Sequence, residues 1–304
     1  MVLVYGEILI DMNIKDGDNK IEYFVGGAPF NVSYAISKFG EDVLFVGCVG
    51  KDYFGKKIIE FVNKQGLNSR FIYKSEFNTT IAIVNNDANG ERSFSFLREN
   101  SADYQFVDRS LFLIEDASIV HIGSLMISKT KGFEFAKKII SSAKRDNKVV
   151  SFDVNYREDI FKNKKQCLSR YQYIINRSDI VKMSLDELYL LTNKDNLDDA
   201  LKQFSDNQKI FITLGKDGSL LYQNKKKYYA NSISVEPIDT TGAGDAFYGT
   251  ILACVEQAGF KEFFNDENKI IEALKLANIQ GALSTRKKGA LSALVNKNTL
   301  YKHI

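Results

Sequence analysis

A glycine-rich stretch followed by a carboxylate is the part of this sequence best suited to chemistry. Residues 239–247 read Asp-Thr-Thr-Gly-Ala-Gly-Asp-Ala-Phe, and the segment after Asp245 has the apolar spacing of a helix as far as Gly259. Glycines let the backbone approach a ligand closely, and the free N–H groups at a helix N-terminus attract anions. A carboxylate beside such a site can take a proton from a hydroxyl group while the amides stabilise charge on a phosphoryl group. The stretch therefore predicts phosphoryl transfer to a hydroxyl group.

Two shorter patterns have simpler interpretations. The tetrapeptide at 242–245, taken alone, is more typical of a glycine turn whose aspartate caps a helix. Residues 50–57 match a phosphate-binding P-loop except at the last position, where Lys57 replaces the Ser or Thr that Mg²⁺ binding needs. We therefore interpret 50–57 as the start of a helix and not as a nucleotide site.

The composition is typical of a globular protein with a large hydrophobic core. The chain has 304 residues, of which 44% are hydrophobic and 26% charged. The net charge is only +3 and the lysines are scattered, so we expect no nucleic-acid partner. Three widely spaced cysteines offer neither a disulfide framework nor metal-ligand spacing, as in proteins of a reducing cytoplasm. No signal peptide and no apolar run of about 20 residues is visible, so we expect a cytoplasmic protein without a membrane partner.

From residue 117 onward, short apolar strands alternate with helical segments. The predicted strands are 119–122, 149–154, 180–183 and 210–214, and the predicted helices between and after them are 131–145, 166–175, 185–192 and 197–207. This alternation predicts a mostly parallel sheet with helices on both faces, which binds ligands at the carboxyl ends of its strands. Polar residues cluster at such ends: Asp11, Asp153, Asn155, Arg157, Lys182, Ser184, Thr213 and Gly215. His121 lies inside an apolar strand and is expected to be a core residue.

The first third of the chain combines two buried strands with a β-rich insertion. Strands are predicted at 2–5 and 43–49, with the apolar run 8–11 continuing the first strand and ending at Asp11. The segments 21–25, 79–84 and 92–97 have β patterns, and Asn89-Gly90 between the last two indicates a hairpin. We expect a small separate sheet, built from about 12–25 and 77–98, that closes over a ligand as a lid.

The segment Ser184-Leu-Asp-Glu187 matches a capping box at the start of a helix. In a capping box the hydroxyl and the carboxylate each accept a bond from the other residue's backbone N–H group. The pattern favours this structural role over a metal-binding role for Glu187.

Nearly the whole chain resembles the ribokinase-like (PfkB) carbohydrate kinases. Both signatures of that family are present, the Gly-Gly segment at 26–40 and the stretch at 239–247. Bacterial fructokinases are the most similar members, because 26–31 reads Gly-Gly-Ala-Pro-Phe-Asn and 152–157 reads Phe-Asp-Val-Asn-Tyr-Arg, with Val154 in place of their proline. The resemblance implies an α/β, ribokinase-like single domain over 1–304, with a mostly parallel central sheet flanked by helices and a small β-sheet lid.

The resemblance also implies roles for individual residues. Asp245 would be the catalytic base, and the backbone N–H groups of Gly242, Ala243 and Gly244 would form the anion hole. The sugar would be bound by Asp11, Gly27, Asn31 and Arg98, and the nucleotide by Lys182, Thr213, Gly215, Gly218 and Asn278. Glu187 would hold Mg²⁺ through water, although Ser184 stands where the family has asparagine, and Asp239 and Thr241 would contribute to a K⁺ site.

These residues imply an ATP-dependent sugar kinase that uses Mg²⁺ and makes fructose 6-phosphate, as a monomer or a homodimer. A kinase of 2-keto-3-deoxygluconate or another sugar acid is an alternative, for which Arg98 is the obvious cation from the lid. A dinucleotide-binding oxidoreductase would need Gly-x-Gly-x-x-Gly after the first strand, and Gly6 is not followed by that pattern. A sugar sensor without catalysis would tolerate loss of the base, whereas Asp245 is present.

Overall fold

Two β-sheets of different size form the framework of the protein, whose computed structural model describes residues 1–15, 21–86, 92–157, 160–161 and 163–304. In this part of the chain the strands are β1 (Val2–Tyr5), β2 (Leu9–Lys15), β3 (Ile21–Gly26), β4 (Val43–Gly50), β5 (Ile72–Ser75), β6 (Ile81–Asn86), β7 (Arg92–Leu97), β8 (Ile119–Ile122), β9 (Val149–Asp153), β10 (Ile180–Ser184), β11 (Lys209–Thr213), β12 (Ser219–Gln223) and β13 (Lys226–Ala230). The α-helices are α1 (Ala28–Phe39), α2 (Tyr53–Lys64), α3 (Thr130–Arg145), α4 (Lys164–Ile175), α5 (Leu185–Thr192), α6 (Leu197–Leu201), α7 (Ala243–Ala258), α8 (Phe260–Phe264), α9 (Glu267–Ser284) and α10 (Lys297–Leu300).

The larger sheet is parallel except at one edge. Its strand order within the described residues is β13-β12-β11-β10-β9-β8-β1-β4-β5, with β12 and β13 antiparallel to their neighbours. Alternate residues of β1 face opposite sides: Val2 and Val4 belong to one hydrophobic core, and Leu3 and Tyr5 to the other. Burial on both faces explains why β1 is a continuous apolar run, and the predicted two-sided parallel sheet is confirmed.

Helices cover both faces of this sheet. Side chains of α1, α7 and α9 share one core with Val2 and Val4, and side chains of α3, α4 and α5 share the other core with Leu3 and Tyr5. His121 of β8 is buried among these elements and its Nδ1 lies 3.0 Å from the Ser151 hydroxyl oxygen, as expected for a core histidine. In the described residues, no helix combines the length and the apolar character that a bilayer crossing requires.

The smaller sheet has the strand order β3-β2-β6-β7 in the described part of the chain. Strands β2 and β6 are parallel, and the two outer pairs are antiparallel. The small sheet predicted from the β patterns is therefore present. The Asn89-Gly90 turn lies outside the described residues.

The prediction that residues 8–11 continue the first strand is wrong. The chain leaves the larger sheet at Gly6 and enters the smaller sheet as β2. Asp11 lies within β2, where its register partners are Phe24 and Ala82, and not at the end of the first strand. An apolar run does not reveal which sheet it joins, because both sheets bury a strand face against the same core.

Smaller differences from the prediction concern individual elements. Helix α6 ends at Leu201 and not near 207, because the sequence after Phe204 has no further helical apolar positions. The short edge strand β5 and the short helix α10 were not predicted. Residues 50–57 do begin a helix: Asp52 caps α2, and its side chain accepts a hydrogen bond of 2.7 Å from the Gly55 N–H.

Candidate active site

A polar cleft of about 280 Å³ lies where the two sheets meet the N-terminus of α7. The larger sheet contributes Lys182 of β10, and the smaller sheet contributes Asp11 and Phe96. Helix α1 contributes Asn31, and the loop before α7 contributes residues 240–242. The cleft thus gathers residues that are up to 238 positions apart, from Glu7 to Asp245.

The N-terminus of α7 faces this cleft through Gly242, Ala243 and Gly244. Gly242 precedes the helix in the left-handed region, with φ 77° and ψ 3°, and a Cβ atom there would overlap with Ala290. Only glycine satisfies both constraints at low cost. The Ala243 N–H makes one long bond of 3.3 Å to the Thr240 carbonyl, and the first N–H groups of a helix have no partner within the helix. The arrangement suits an anion, as the sequence predicts.

Asp239 holds the loop before α7 in place. Its Oδ1 accepts a hydrogen bond of 2.9 Å from the Thr241 N–H, and its Oδ2 accepts one of 2.8 Å from the Gly289 N–H. The direct role of Asp239 in the structure is to join the glycine-rich loop to residue 289.

Asp245 lies in the first turn of α7 and is only 8% exposed. Its Oδ2 accepts a hydrogen bond of 2.8 Å from Nδ2 of Asn31, which orients the carboxylate. Burial raises the pKa of Asp245 above its ordinary value, although Lys182 and the Asn31 bond oppose that shift. A buried carboxylate with a raised pKa is a stronger base than an exposed one.

Close packing of α1 on α7 brings Asn31 to Asp245. The contact is made at Gly249, where a Cβ atom would lie 2.6 Å from the Ala35 Cβ and 2.6 Å from the Val32 carbonyl oxygen. Since helix backbones approach this closely only at small residues, the spacing of Asn31 and Asp245 depends on Gly249.

The predicted sugar residues Asp11, Gly27 and Asn31 all line the cleft. Gly27 has φ 108°, and a Cβ atom there would lie 2.6 Å from the Glu7 carbonyl oxygen. Burial, followed by the charges of Asp245 and Asp239, raises the pKa of Asp11 to about 7. Asn31 Oδ1 is buried and has no hydrogen-bond partner among the described residues, which leaves it free for a ligand hydroxyl.

Arg98, in contrast, does not line the cleft, contrary to the predicted sugar contact. Its guanidinium is buried and forms an ion pair with Asp103, with Nε 2.6 Å from Oδ2. Nη1 and Nη2 each donate to the Leu125 carbonyl oxygen at 3.2 Å, and Nη1 also donates to Ser128 Oγ at 3.2 Å. Sequence reasoning could not find this network, because the partners come from two separate segments.

Lys182 and Arg157 are the cations that line the cleft among the described residues. Lys182 Nζ lies 3.1 Å from both carboxylate oxygens of Asp153, and a Cβ atom on Gly244 would lie 2.8 Å from the same Nζ. Burial alone would lower the pKa of Lys182, but Asp153 and other carboxylates raise it, so the ammonium stays charged beside the anion site. Arg98 was the cation expected to face an acidic sugar, but Arg157 lines the cleft and Arg98 does not.

The remaining predicted nucleotide residues lie outside the cleft at the same edge of the larger sheet. Thr213 ends β11 opposite Ser184 of β10, and Gly215 follows it. A Cβ atom on Gly218 would overlap with the Ala230 carbonyl oxygen, to which Asn278 Nδ2 donates at 2.8 Å. Gly218 and Asn278 thus meet at the end of β13, which lies three strands away from β10 and Lys182 in the larger sheet.

Glu187 forms the capping box that its sequence indicates. Ser184 Oγ accepts from the Glu187 N–H at 3.2 Å, and Glu187 Oε2 accepts from the Ser184 N–H at 2.7 Å. Glu187 Oε1 accepts from the Tyr156 N–H at 2.6 Å. No group of three His, Cys, Asp or Glu side chains able to hold a metal occurs among the described residues, so a divalent ion here would rely on phosphate and water as well. Each Glu187 oxygen keeps a lone pair, which fits contact with Mg²⁺ through water.

Glu7 is a charged residue of the cleft that was not predicted. Glu7 follows β1, is 2% exposed, and lines the cleft beside Asp11. Its position directly after a buried strand of a parallel sheet was the available sequence signal.

The chain is similar to known proteins over nearly its whole length. Residues 1–297 match the family of pfkB carbohydrate kinases. A fructokinase of Vibrio alginolyticus is 30% identical over 308 residues, covering 100% of this chain and 98% of its own, and a probable fructokinase-4 of Arabidopsis thaliana is 32% identical, covering 97% and 93%. The structure of a Xylella fastidiosa fructokinase with bound ATP has a TM-score of 0.89 at 29% identity, covering 99% of this chain and 97% of its own. A double mutant of Vibrio cholerae O395 fructokinase, solved with fructose, ADP and potassium ion, has the same TM-score, identity and coverage. The chain belongs to the pfkB family of carbohydrate kinases.

Proposed function

We propose that this protein is an ATP-dependent fructokinase that transfers the γ-phosphate to D-fructose and releases fructose 6-phosphate. The observation that carries the proposal is the position of the Asp245 carboxylate. It lies between the N-terminus of α7, which suits a phosphate, and a cleft of polar side chains, which suits a polyol. Fructokinases among the similar proteins, some solved with ATP or with fructose and ADP, support the same choice of substrates.

In this proposal each protein group has a separate task. Asn31 occupies Oδ2 of Asp245, so Oδ1 remains to accept the proton of a sugar hydroxyl. The N–H groups at 242–244 and the Lys182 ammonium stabilise negative charge on the transferred phosphoryl group. Mg²⁺ held through Glu187 and water would neutralise charge on the nucleotide phosphates. Thr213, Gly215, Gly218 and Asn278 extend the site along the sheet edge toward the nucleotide.

The charge distribution of the cleft favours a neutral acceptor over a sugar acid. Glu7, Asp11 and Asp245 all face the cleft, and each carries a pKa raised mainly by burial. The two cations, Arg157 and Lys182, share the cleft with them, and Lys182 lies at the phosphate end. An acceptor carboxylate would therefore compete with nucleotide phosphates for the same cations.

The smaller sheet has the position of a lid. It contributes Leu9, Asp11, Ala82 and Phe96 to the lining of the cleft. We propose that it closes over the sugar within a single domain of 1–304, which would exclude water and limit ATP hydrolysis. We also propose that the protein is cytoplasmic, that it is a monomer or a homodimer, and that K⁺ bound at Asp239 and Thr241 activates it.

A sugar panel tests the proposed substrate. Purified protein with ATP and Mg²⁺ is assayed by ADP release against D-fructose, other hexoses, D-ribose and 2-keto-3-deoxygluconate, with and without K⁺. We expect kcat/KM for fructose to exceed that for the sugar acid by at least ~100-fold, because a polar site strongly rejects a poorly matched analogue. Comparable turnover of the sugar acid would assign that substrate instead. Sugar binding without any turnover would indicate a sensor.

A further inference from the structure

The Glu7 carboxyl is the polar group of the cleft with no task in the account above. It is 2% exposed, lines the cleft, and neither Oε1 nor Oε2 has a hydrogen-bond partner among the described residues. Buried polar groups are nearly always hydrogen-bonded, and a buried carboxyl without a partner is costly. The lack of hydrogen bonds to both oxygens of this side chain therefore points to a ligand that binds in the cleft and donates to them.

Arg98 is close enough to influence Glu7 but does not bond to it. The five N–H groups of its guanidinium are directed to Asp103, to the Leu125 carbonyl and to Ser128. With its donors occupied, Arg98 offers Glu7 a nearby charge and no hydrogen bond. This explains why burial still raises the pKa of Glu7 to about 7 although Arg98 opposes the shift.

The position of Glu7 is fixed by close backbone contacts. The Glu7 carbonyl would lie 2.6 Å from a Cβ atom on Gly27, so the main chain at Glu7 packs against the sugar-binding Gly-Gly turn. A Cβ atom on Gly123 would lie 3.2 Å from Glu7 Oε2 and 2.8 Å from the Pro29 ring. The absence of a side chain at Gly123 leaves room for both groups. The close packing of the main chain at Glu7 thus places its carboxyl at the cleft wall, and such preorganisation favours a ligand contact.

We propose that Glu7 is a sugar-binding residue whose carboxyl group hydrogen-bonds one hydroxyl group of the acceptor. The proposal rests on the proposed sugar kinase function and adds a residue to its acceptor site. Asp245 remains the proton acceptor, because Asp245 and not Glu7 lies in the first turn of α7 beside the anion site. Glu7 and Asn31 Oδ1 together present three buried oxygen atoms with no hydrogen-bond partner in the described part of the chain, which matches an acceptor with several hydroxyl groups.

The variants Glu7→Leu and Glu7→Gln test this assignment. Leucine removes both oxygens at similar volume, and glutamine keeps one acceptor and adds a donor. Glu256→Gln is the matched control, because Glu256 is largely buried but pairs with the N-terminal amine away from the cleft. Each protein is assayed with the sugar that the wild type phosphorylates best, so a wrong choice of sugar in the panel does not affect this test.

We expect Glu7→Leu to lower kcat/KM for the sugar by about 10- to 100-fold, mainly through KM, with the KM for ATP unchanged. Glu7→Gln should lower kcat/KM for the sugar by a smaller factor, and Glu256→Gln should keep the wild-type kcat and KM values. The melting temperature of the sugar-free Glu7→Leu protein should not fall, because an unsatisfied buried carboxyl is removed. A fall in melting temperature with equal losses for sugar and ATP would show a structural role and overturn the proposal.

Analogues that change one hydroxyl group identify the contact. With fructose these are 1-deoxy-D-fructose, 2,5-anhydro-D-mannitol, D-psicose and D-tagatose. For one analogue the effect of Glu7→Leu should shrink to less than about threefold, because the bond is already missing. An undiminished effect on every analogue, or unchanged kcat/KM in both variants, would refute the contact. If Glu7→Leu does not fold, the same comparison with Glu7→Gln decides.

Discussion

The substitution Asp245→Asn replaces one carboxylate oxygen with an amide group at nearly constant volume. In the protein, Asp245 Oδ2 accepts a 2.8 Å bond from Asn31, and the amide oxygen of an asparagine in the same rotamer would accept that bond equally well. The orientation of the side chain and the packing of α1 on α7 should persist. What disappears is the ability to take a proton from the sugar hydroxyl.

The size of the effect follows from that single loss. A positioned general base contributes about 10²–10⁴-fold to the rate, which corresponds to ~3–5 kcal/mol in the barrier. Burial raises the pKa of Asp245, so removing the carboxylate also removes an unfavourable buried charge. We therefore expect kcat to fall by about 10²–10⁴-fold while the melting temperature at pH 8 stays the same or rises.

Kinetics and binding must be measured on the same preparation. A coupled assay gives kcat and KM, and calorimetry with the sugar and a non-hydrolysable ATP analogue gives dissociation constants, which should change by less than about tenfold. Asp195→Asn, at an exposed position, is the matched control and should keep wild-type activity. An Asp245→Asn enzyme that keeps more than a tenth of wild-type kcat would remove Asp245 from the role of base.

Two further predictions concern Asp11 and the smaller sheet. The pKa of Asp11 is raised to about 7, so Asp11 is protonated in both the folded and unfolded states below pH ~4, whereas above pH ~7 folding buries a carboxylate. The substitution Asp11→Asn should therefore raise the melting temperature relative to wild type more at pH 8 than at pH 5. The same substitution should lower kcat/KM for fructose about 10- to 100-fold. An equal melting-temperature difference at both pH values would contradict the raised pKa. Hydrogen exchange should slow in β3 (Ile21–Gly26) and β6 (Ile81–Asn86) when the sugar and an ATP analogue bind together. Exchange in α3 (Thr130–Arg145) should not change and is the control. Unchanged exchange in β3 and β6 would argue against a lid.

The parts of the fold that the sequence predicts are those governed by local patterns. Strands 119–122 and 149–153 are continuous apolar runs between helical segments, and their parallel pairing follows from the βα alternation. The glycine-rich loop and its helix are local too, since Gly242 has the left-handed backbone that its residue type indicates. The capping box at Ser184 and Glu187 is likewise set by residues three positions apart.

The parts that could not be predicted depend on contacts between distant segments. Asp11 lies in a different sheet from the one expected, because an apolar run reveals burial but not which strand it will pair with. Arg98 was expected to face a ligand, but Asp103 and the Leu125 carbonyl, which is 27 positions away, hold it inside the protein. No role was predicted for Glu7, because what distinguishes it is the lack of hydrogen bonds to its buried carboxyl oxygens among the described residues. No sequence pattern around Glu7 indicates that feature.

The chemistry of the cleft also sets the energetics of the free protein. Burial raises the pKa values of Glu7 and Asp11 to about 7 and also raises that of Asp245, so ionising all three in one cleft is unfavourable. Lys182 does not compensate fully, because Asp153 already pairs with it. Sugar hydroxyl groups donate hydrogen bonds to carboxylates, and such bonds are stronger than those between neutral groups. Sugar binding should therefore offset part of the free-energy cost of ionising these carboxyl groups. If the smaller sheet closes as proposed, this gain would shift its equilibrium toward the closed form when the acceptor is bound.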